Sequence, residues 1–260
     1  FKEEHCMYSY RNTRAHNSIL VNGMTQKIGT EGYGWIPRWY EGEKIAYMVG
    51  DASNAYGKVT SPLWLKSGEL SGTQYTPEKG WDENKLNMFR RHIIQLGSTG
   101  VFVIYDELEG KEAVTWSYLL HTVELPMEIQ ELTDEVKVTG RNKAGGISVA
   151  HLFSSAKTEQ AMVDTFFCAP TNWKNVTNAQ GKALKYPNHW HFSSTTVPCK
   201  TARFLTVMDT HGKNRPDMQV VRKGNTIQVG DWTITCNLTE KGKAAIYVSN
   251  KTEKVSLNYD

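Results

Sequence analysis

Apolar and polar residues alternate with a period of two along most of the chain. Each apolar run is short, rich in Val, Ile, Thr and aromatic residues, and bounded by Gly, Asn, Asp or Pro. Sustained helical periodicity is missing, so the pattern predicts an all-β fold, an antiparallel two-sheet β-sandwich. The predicted strands are 18–22, 44–49, 89–96, 101–108, 114–121, 135–139, 147–153, 190–195, 202–208, 226–229, 232–237 and 244–249.

Turn-forming residues connect several of these strands. Gly97-Ser98-Thr99-Gly100 has the length and composition of a hairpin loop between the strands at 89–96 and 101–108. Residues 141–146 and 229–232 predict two further hairpins. No repeat of fixed period occurs, which argues against a propeller or a solenoid.

The length of 260 residues is compatible with one large all-β domain. We predict a large β-sandwich domain over residues 1–210. Residues 211–260 are expected to add C-terminal strands to the same unit.

Two long connections interrupt the strand pattern, at 61–84 and 169–188. They carry the aromatic residues Trp64, Trp81 and Trp173. Loops of this length in a compact domain are often functional, so these tryptophans are candidate substrate-binding residues at the rim of a sugar cleft. The alternative is that they pin the loops to the sandwich.

The composition of the chain limits the classes of molecule that it is expected to bind. Thirty basic and 27 acidic residues give a formal charge of +3, too small for a typical nucleic-acid-binding surface. Eight Trp and 12 Tyr suit an acidic sugar polymer, although aromatic residues are more often part of the core. No apolar run is long enough to span a membrane.

The four cysteines, Cys6, Cys168, Cys199 and Cys236, are far apart and form no Cys-x-x-Cys motif. This spacing excludes a zinc ribbon or a small disulfide scaffold. The spacing is compatible with one disulfide bond.

Six motifs occur in a fixed order along the chain. They are Ala15-His16-Asn17 before an apolar strand, Gly50-Asp51 followed by Ala55-Tyr56, Phe89-Arg90-Arg91, Val103-Ile104-Tyr105-Asp106-Glu107, and Trp116-Ser117-Tyr118-Leu119-Leu120-His121, with His189-Trp190-His191 further on. Over roughly residues 1–210 this order resembles the C-terminal β-domain of the heparinase II/III-like polysaccharide lyases, most closely the heparinase II-type members.

The resemblance implies a reaction and a setting. The parent protein would depolymerise an acidic, uronic-acid-containing glycan by β-elimination, with this domain forming one wall of the cleft against an N-terminal α/α-toroid. It also implies a periplasmic or secreted location, although the segment Phe1-Lys2-Glu3-Glu4 lacks the features of a signal peptide. The alternative is a non-catalytic carbohydrate-binding or structural β-sandwich module.

By the family pattern most catalytic groups come from the toroid and from an upstream His-x-His-x-Asp segment. Neither occurs in these 260 residues, so this chain alone is expected to lack most catalytic residues. His16 matches a family histidine that ligates zinc, and is expected to bind metal only if the upstream ligands are present. Otherwise it is a histidine at the sheet rim. Tyr8 and Tyr10 are possible substrate contacts, with packing as the alternative.

Two further histidines are candidate metal ligands. His189 and His191 are two residues apart on one strand and therefore share a face, but no third ligand has supporting spacing. An exposed pair on a strand is the favoured interpretation. His121 is expected to be partly buried and to form local hydrogen bonds.

Several charged residues lie near the ends of the predicted strands. Asp51 is expected to pair with Arg90 or Arg91. Asp106 and Glu107 are neighbours on a strand and should point to opposite faces, so they cannot act as a glycosidase pair. A solvated hairpin end is the expected setting for both.

Overall fold

The structure is a computed structural model that describes residues 12–27, 32–62, 65–66, 83–98, 100–164, 179–182, 189–239 and 242–257. Within these ranges the chain forms 17 strands and a short 3-10 turn at Thr13–Ala15. In chain order the strands are β1 Ile19–Val21, β2 Trp35–Glu41, β3 Ile45–Asp51, β4 Leu86–Leu96, β5 Val101–Val114, β6 Trp116–Val123, β7 Glu128–Glu131, β8 Val136–Arg141, β9 Gly146–Ser154, β10 Thr158–Val163, β11 His189–Thr196, β12 Cys199–Gly212, β13 Val220–Lys223, β14 Thr226–Val229, β15 Trp232–Thr235, β16 Tyr247–Ser249 and β17 Lys254–Ser256.

The strands form three antiparallel sheets. The four-stranded sheet has the order β1-β6-β11-β10, and the central sheet has the order β2-β3-β4-β5-β12-β9-β8-β7. The C-terminal sheet consists of β13 to β17 in sequence order. The prediction of an all-β antiparallel sandwich is therefore confirmed.

The central sheet is covered on both faces because adjacent residues of a strand point to opposite sides. Phe204 of β12 belongs to the core shared with the four-stranded sheet, which includes Trp116 and Phe192. Leu205, the next residue, belongs to the core shared with the C-terminal sheet, which includes Ile234. The C-terminal strands therefore form a third layer, which the hydrophobic pattern alone did not separate from the sandwich.

The two longest strands, β5 and β12, pair in the middle of the central sheet and give it its length. At about 3.3 Å per residue, 14 residues span roughly 45 Å, which is enough to support a separate layer on each face.

The predicted hairpin at Gly97–Gly100 is confirmed, since β4 pairs with β5 from Leu96↔Val101 onwards. Gly97 and Gly100 adopt positive φ angles of 58° and 76°, a conformation that glycine adopts without strain. The other two predicted hairpins also form, joining β8 to β9 and β14 to β15.

In the described part of the chain, no helix is long and apolar enough to cross a membrane. Cys199 and Cys236 carry thiols. Cys6 and Cys168 lie outside the described residues.

Candidate functional site

The Arg14–Asn17 segment lies at the edge of the four-stranded sheet, directly before β1. Its 3-10 turn begins at Asn12, whose side chain accepts a hydrogen bond from the Arg14 backbone N–H at 3.1 Å. The Arg14 guanidinium donates to the carbonyl of Gly23 at 2.9 Å. His16 ends the turn, and its side chain is exposed.

Two side chains from other strands hold this segment in place. His121 of β6 lies 2.7 Å from the Arg14 carbonyl through Nε2 and 2.9 Å from Oδ1 of Asn17 through Nδ1. Arg91 of β4 donates to the Asn17 carbonyl at 2.5 Å. The backbone on both sides of His16 is therefore fixed by residues far away in sequence.

His121 is part of a cluster of three histidines. His191 of β11 pairs directly with His121, and His189 lies beside them on the same face. The ring centroids are 4.8 Å apart for His121–His191, 5.2 Å for His121–His189 and 4.6 Å for His189–His191. The prediction that His189 and His191 share a face agrees with this geometry.

The cluster favours neutral imidazoles. Burial lowers the pKa of His121 to about 3, with a further contribution from His191. Burial, followed by the neighbouring His189, lowers the pKa of His191 to about 4. Burial and then His16 lower the pKa of His189 as well. All three rings are therefore neutral at pH 7.

The sequence predicted that His189 and His191 share a face, but it did not predict that His121 lies beside them. His121 was expected to make local hydrogen bonds, but its partners Arg14 and Asn17 are 107 and 104 residues away. The signal that would have found the cluster is strand register, because β6 and β11 place His121 opposite His191. That register cannot be read from either strand alone.

A cavity of about 220 Å³ lies next to the histidines on the outer face of the four-stranded sheet. Its wall is largely apolar and includes the two serines Ser117 and Ser193. The lining includes Leu20, Ser117, Leu119, Ala161, Val163 and His191.

His16 is the residue for which the sequence predicts a zinc-ligand role. Across the described residues, no three His, Cys, Asp or Glu side chains already converge on one point as a metal site. His16 offers one donor, while a zinc site needs three or four. Its role as a zinc ligand stays a prediction.

The predicted substrate contacts Tyr8, Tyr10, Trp64, Trp81 and Trp173 all lie outside the described residues. They stay predictions.

The expected setting of Asp106 and Glu107 is wrong in one respect. They do point to opposite faces, but both are buried, at 0% and 4% exposure, instead of lying at a solvated hairpin end. The reason is that β5 continues to Val114, which places both carboxylates in the interior of the sheet.

Each buried carboxylate has a cationic partner. Asp106 accepts two hydrogen bonds from Arg91, at 2.7 and 2.9 Å. Glu107 lies 2.8 Å from His92 Nε2 and 3.7 Å from Arg203. Asp51 pairs with Arg90 at 3.3 Å, which leaves Arg91 for Asp106.

The fold is that of the heparinase-like polysaccharide lyases. A heparinase III gene product matches with a TM-score of 0.56 at 15% identity, over 96% of this chain and 30% of that chain. A structure titled heparinase III gives a TM-score of 0.57 at 14% identity, over 99% of this chain and 31% of that chain. Heparan sulfate lyase HepC from Pedobacter heparinus gives 0.53 at 12% identity, over 96% of this chain and 31% of that chain.

This chain thus spans about a third of the length of those lyases. The likeness establishes a shared fold, and it is not specific to the heparinase II type. No family model matches the sequence, and no curated protein matches it.

Proposed function

We propose that this chain is the C-terminal β-sandwich domain of a polysaccharide lyase that cleaves an acidic, uronic-acid-containing glycan by β-elimination. The observation that carries the proposal is the structural similarity over 96% of the chain to proteins titled heparinase III and heparan sulfate lyase. The motif order supports a heparinase II-type member in particular. The protein would act in the periplasm or outside the cell, where such glycans are encountered.

In such a reaction a base removes the proton α to the uronate carboxylate. The C–O bond to the 4-linked sugar then breaks, a carbon–carbon double bond forms, and the leaving oxygen takes up a proton. The negative charge that develops next to the carboxylate needs neutralising groups, and the base needs a pKa near the working pH.

The role we assign to this chain is to form one wall of the substrate cleft, opposite an N-terminal α/α-toroid that supplies most catalytic groups. The rigid Arg14–Asn17 segment supports this role, because Arg91 and His121 fix its backbone at a sheet edge. Tyr8 and Tyr10, just before this segment, and Trp64, Trp81 and Trp173 would contact the glycan.

A structural zinc ion would fit the same junction. His16 is exposed and would supply one imidazole ligand, while a histidine and an aspartate from an upstream segment would complete the set. Zinc bound there would link the two parts of the protein.

The alternative function is a non-catalytic carbohydrate-binding module. Both candidates are tested by mixing the protein with heparan sulfate, an unsulfated glycosaminoglycan and alginate, and following the absorbance of the unsaturated product. We expect turnover by a protein that joins this chain to a toroid, and none by the 260-residue chain. Glycan binding without product in both would favour the binding module, and product from the 260-residue chain would contradict the proposed division of roles.

A further inference from the structure

A groove of about 490 Å³, the edge groove, lies at the edge of the sandwich between the central sheet and the four-stranded sheet. Its floor includes Leu152 of β9, which belongs to the core between these two sheets. One wall is the turn between β7 and β8, and the other is the turn 154–158 with the first residues of β10. Its lining includes no residue of the Arg14–Asn17 segment, so the edge groove is separate from the site described above.

A side chain of the C-terminal sheet extends the edge groove. Arg222 of β13 lines it together with a second cavity of about 430 Å³, and the two cavities also share Asp134 and Glu135. The cavities therefore adjoin at these three residues. Both volumes lie in the range of about 300–1,000 Å³ that is typical of ligand sites, so the depression is large enough for a short oligosaccharide.

The guanidinium of Arg222 is held in place but is not neutralised. Its Nε donates to the carbonyl of Gly224 at 2.8 Å, and its Cζ lies 5.4 Å from the centroid of the Phe153 ring. Among the described residues, no carboxylate forms an ion pair with Arg222. The two terminal nitrogens therefore remain to donate to a planar anion such as a carboxylate, which a guanidinium binds through two parallel hydrogen bonds.

Three hydroxyl groups on the β10 side of the edge groove add further donors. Ser154 Oγ and Ser155 Oγ each accept a hydrogen bond from a backbone N–H, at 3.2 and 2.9 Å. Thr158 Oγ1 accepts one from the side-chain amide of Gln160 at 2.8 Å. A hydroxyl that accepts a hydrogen bond keeps its own proton to donate, so all three groups can donate to the oxygen atoms of a ligand.

The charges of the lining limit how many anionic groups a ligand can carry. The carboxylates are Glu131, Asp134 and Glu135, and the cations are Lys157 and Arg222. Carboxylates accept hydrogen bonds from sugar hydroxyls, but they repel sulfate groups. The edge groove therefore favours a glycan with one carboxylate per disaccharide over a heavily sulfated glycan.

We propose that the edge groove binds a segment of an unsulfated, uronic-acid-containing glycan. Arg222 binds the uronate carboxylate, Thr158 donates to a sugar oxygen, and Asp134 accepts from a sugar hydroxyl. The site is additional to the cleft wall proposed above, and the choice of an acidic glycan rests on that proposed function. By holding the polymer at a second point, the edge groove raises the effective concentration of glycan at the cleft.

The test is a calorimetric titration of the 260-residue chain with an unsulfated chondroitin tetrasaccharide. Arg222→Gln should weaken binding at least about tenfold, because it removes a charge-assisted, bidentate contact. Lys223→Gln is the matched control, since it makes the same change of charge on the next residue of β13 and lines neither cavity. It should leave the affinity within about twofold. Circular dichroism of each variant checks that the fold is retained.

Two further measurements test the hydroxyl and charge arguments. Thr158→Val should weaken binding of the unsulfated tetrasaccharide about threefold, because it removes one hydrogen-bond donor. A heparin-derived tetrasaccharide should bind at least about fivefold more weakly than the unsulfated one, because its sulfate groups meet the carboxylates of the groove. Asp134→Asn should narrow that difference by removing one repulsive charge.

Three results would overturn the proposal. They are the absence of binding by the unaltered chain, equal affinity losses in Arg222→Gln and Lys223→Gln, and binding of the heparin-derived tetrasaccharide as tight as that of the unsulfated one. Assaying product formation by a protein that joins this chain to a toroid separates this proposal from the proposed function. Binding that depends on Arg222 without product would contradict the lyase function alone. Product without such binding would contradict the edge-groove site alone.

Discussion

The guanidinium of Arg91 donates two hydrogen bonds to the carboxylate of Asp106, at 2.7 and 2.9 Å, in the interior of the central sheet. The same guanidinium donates a third bond to the carbonyl of Asn17. One ion pair therefore connects the middle of the central sheet to the segment that carries His16. Loss of the Arg91–Asp106 ion pair should therefore also loosen the Arg14–Asn17 segment.

Asp106→Asn should destabilise the protein by roughly 3 kcal/mol, because it leaves the cation of Arg91 without its buried counter-charge. Urea unfolding followed by tryptophan fluorescence measures the change. Lys143→Ala is the matched control, since it breaks an ion pair with Glu124 in which the Lys143 side chain is 69% exposed. That change should stay within about 0.5 kcal/mol. Equal effects of the two substitutions would show that Asp106 contributes no more than a surface charge.

Glu107→Gln should also cost roughly 3 kcal/mol, because it removes the carboxylate that lies 3.7 Å from the guanidinium of Arg203, a residue that is 4% exposed. Adding Arg203→Met should recover much of this loss by removing the unpaired charge. Glu109→Gln on the same strand serves as control, since its partner Asn87 is reached through an exposed hydrogen bond. The idea fails if the double variant is less stable than Glu107→Gln.

Gly100→Ala should destabilise the protein by more than about 1 kcal/mol, since its φ is +76° and a Cβ would lie 2.4 Å from the Thr210 carbonyl oxygen. Gly50→Ala is the matched control. A Cβ at Gly50, in β3, meets no atom within 4 Å, so that change should leave stability unaltered or raise it by up to about 1 kcal/mol. Thermal unfolding of both variants measures the two changes in stability. A Gly100→Ala protein as stable as the unaltered protein would contradict the turn geometry.

Cys236 should react slowly with thiol reagents in the folded protein. It is buried, and burial raises the pKa of its thiol to about 12, so at pH 8 almost none of it is the reactive thiolate. Alkylation followed by mass spectrometry of the Cys236 peptide measures the rate. The rate should rise to that of a free thiol in urea, and rapid native labelling would argue against the packing of the C-terminal sheet.

The sequence pattern identified every strand in the interior of the three sheets but missed five strands at their edges. All five have exposed or half-buried residues, because one side of an edge strand has no neighbour. Their alternation of apolar and polar residues is therefore weak. They are β2, β7, β10, β13 and β17.

By itself, the sequence determined the class of fold, the interior strands and the hairpin turns. These depend on neighbouring residues, since burial alternates along a strand and glycine fixes a turn locally. Only the tertiary structure decided that the C-terminal strands form a third layer, that Asp106 pairs with Arg91 and Asp51 with Arg90, and that three histidines meet. The reason is physical: each of these contacts depends on the register between paired strands, which brings His121 and His191 together across 70 residues of chain.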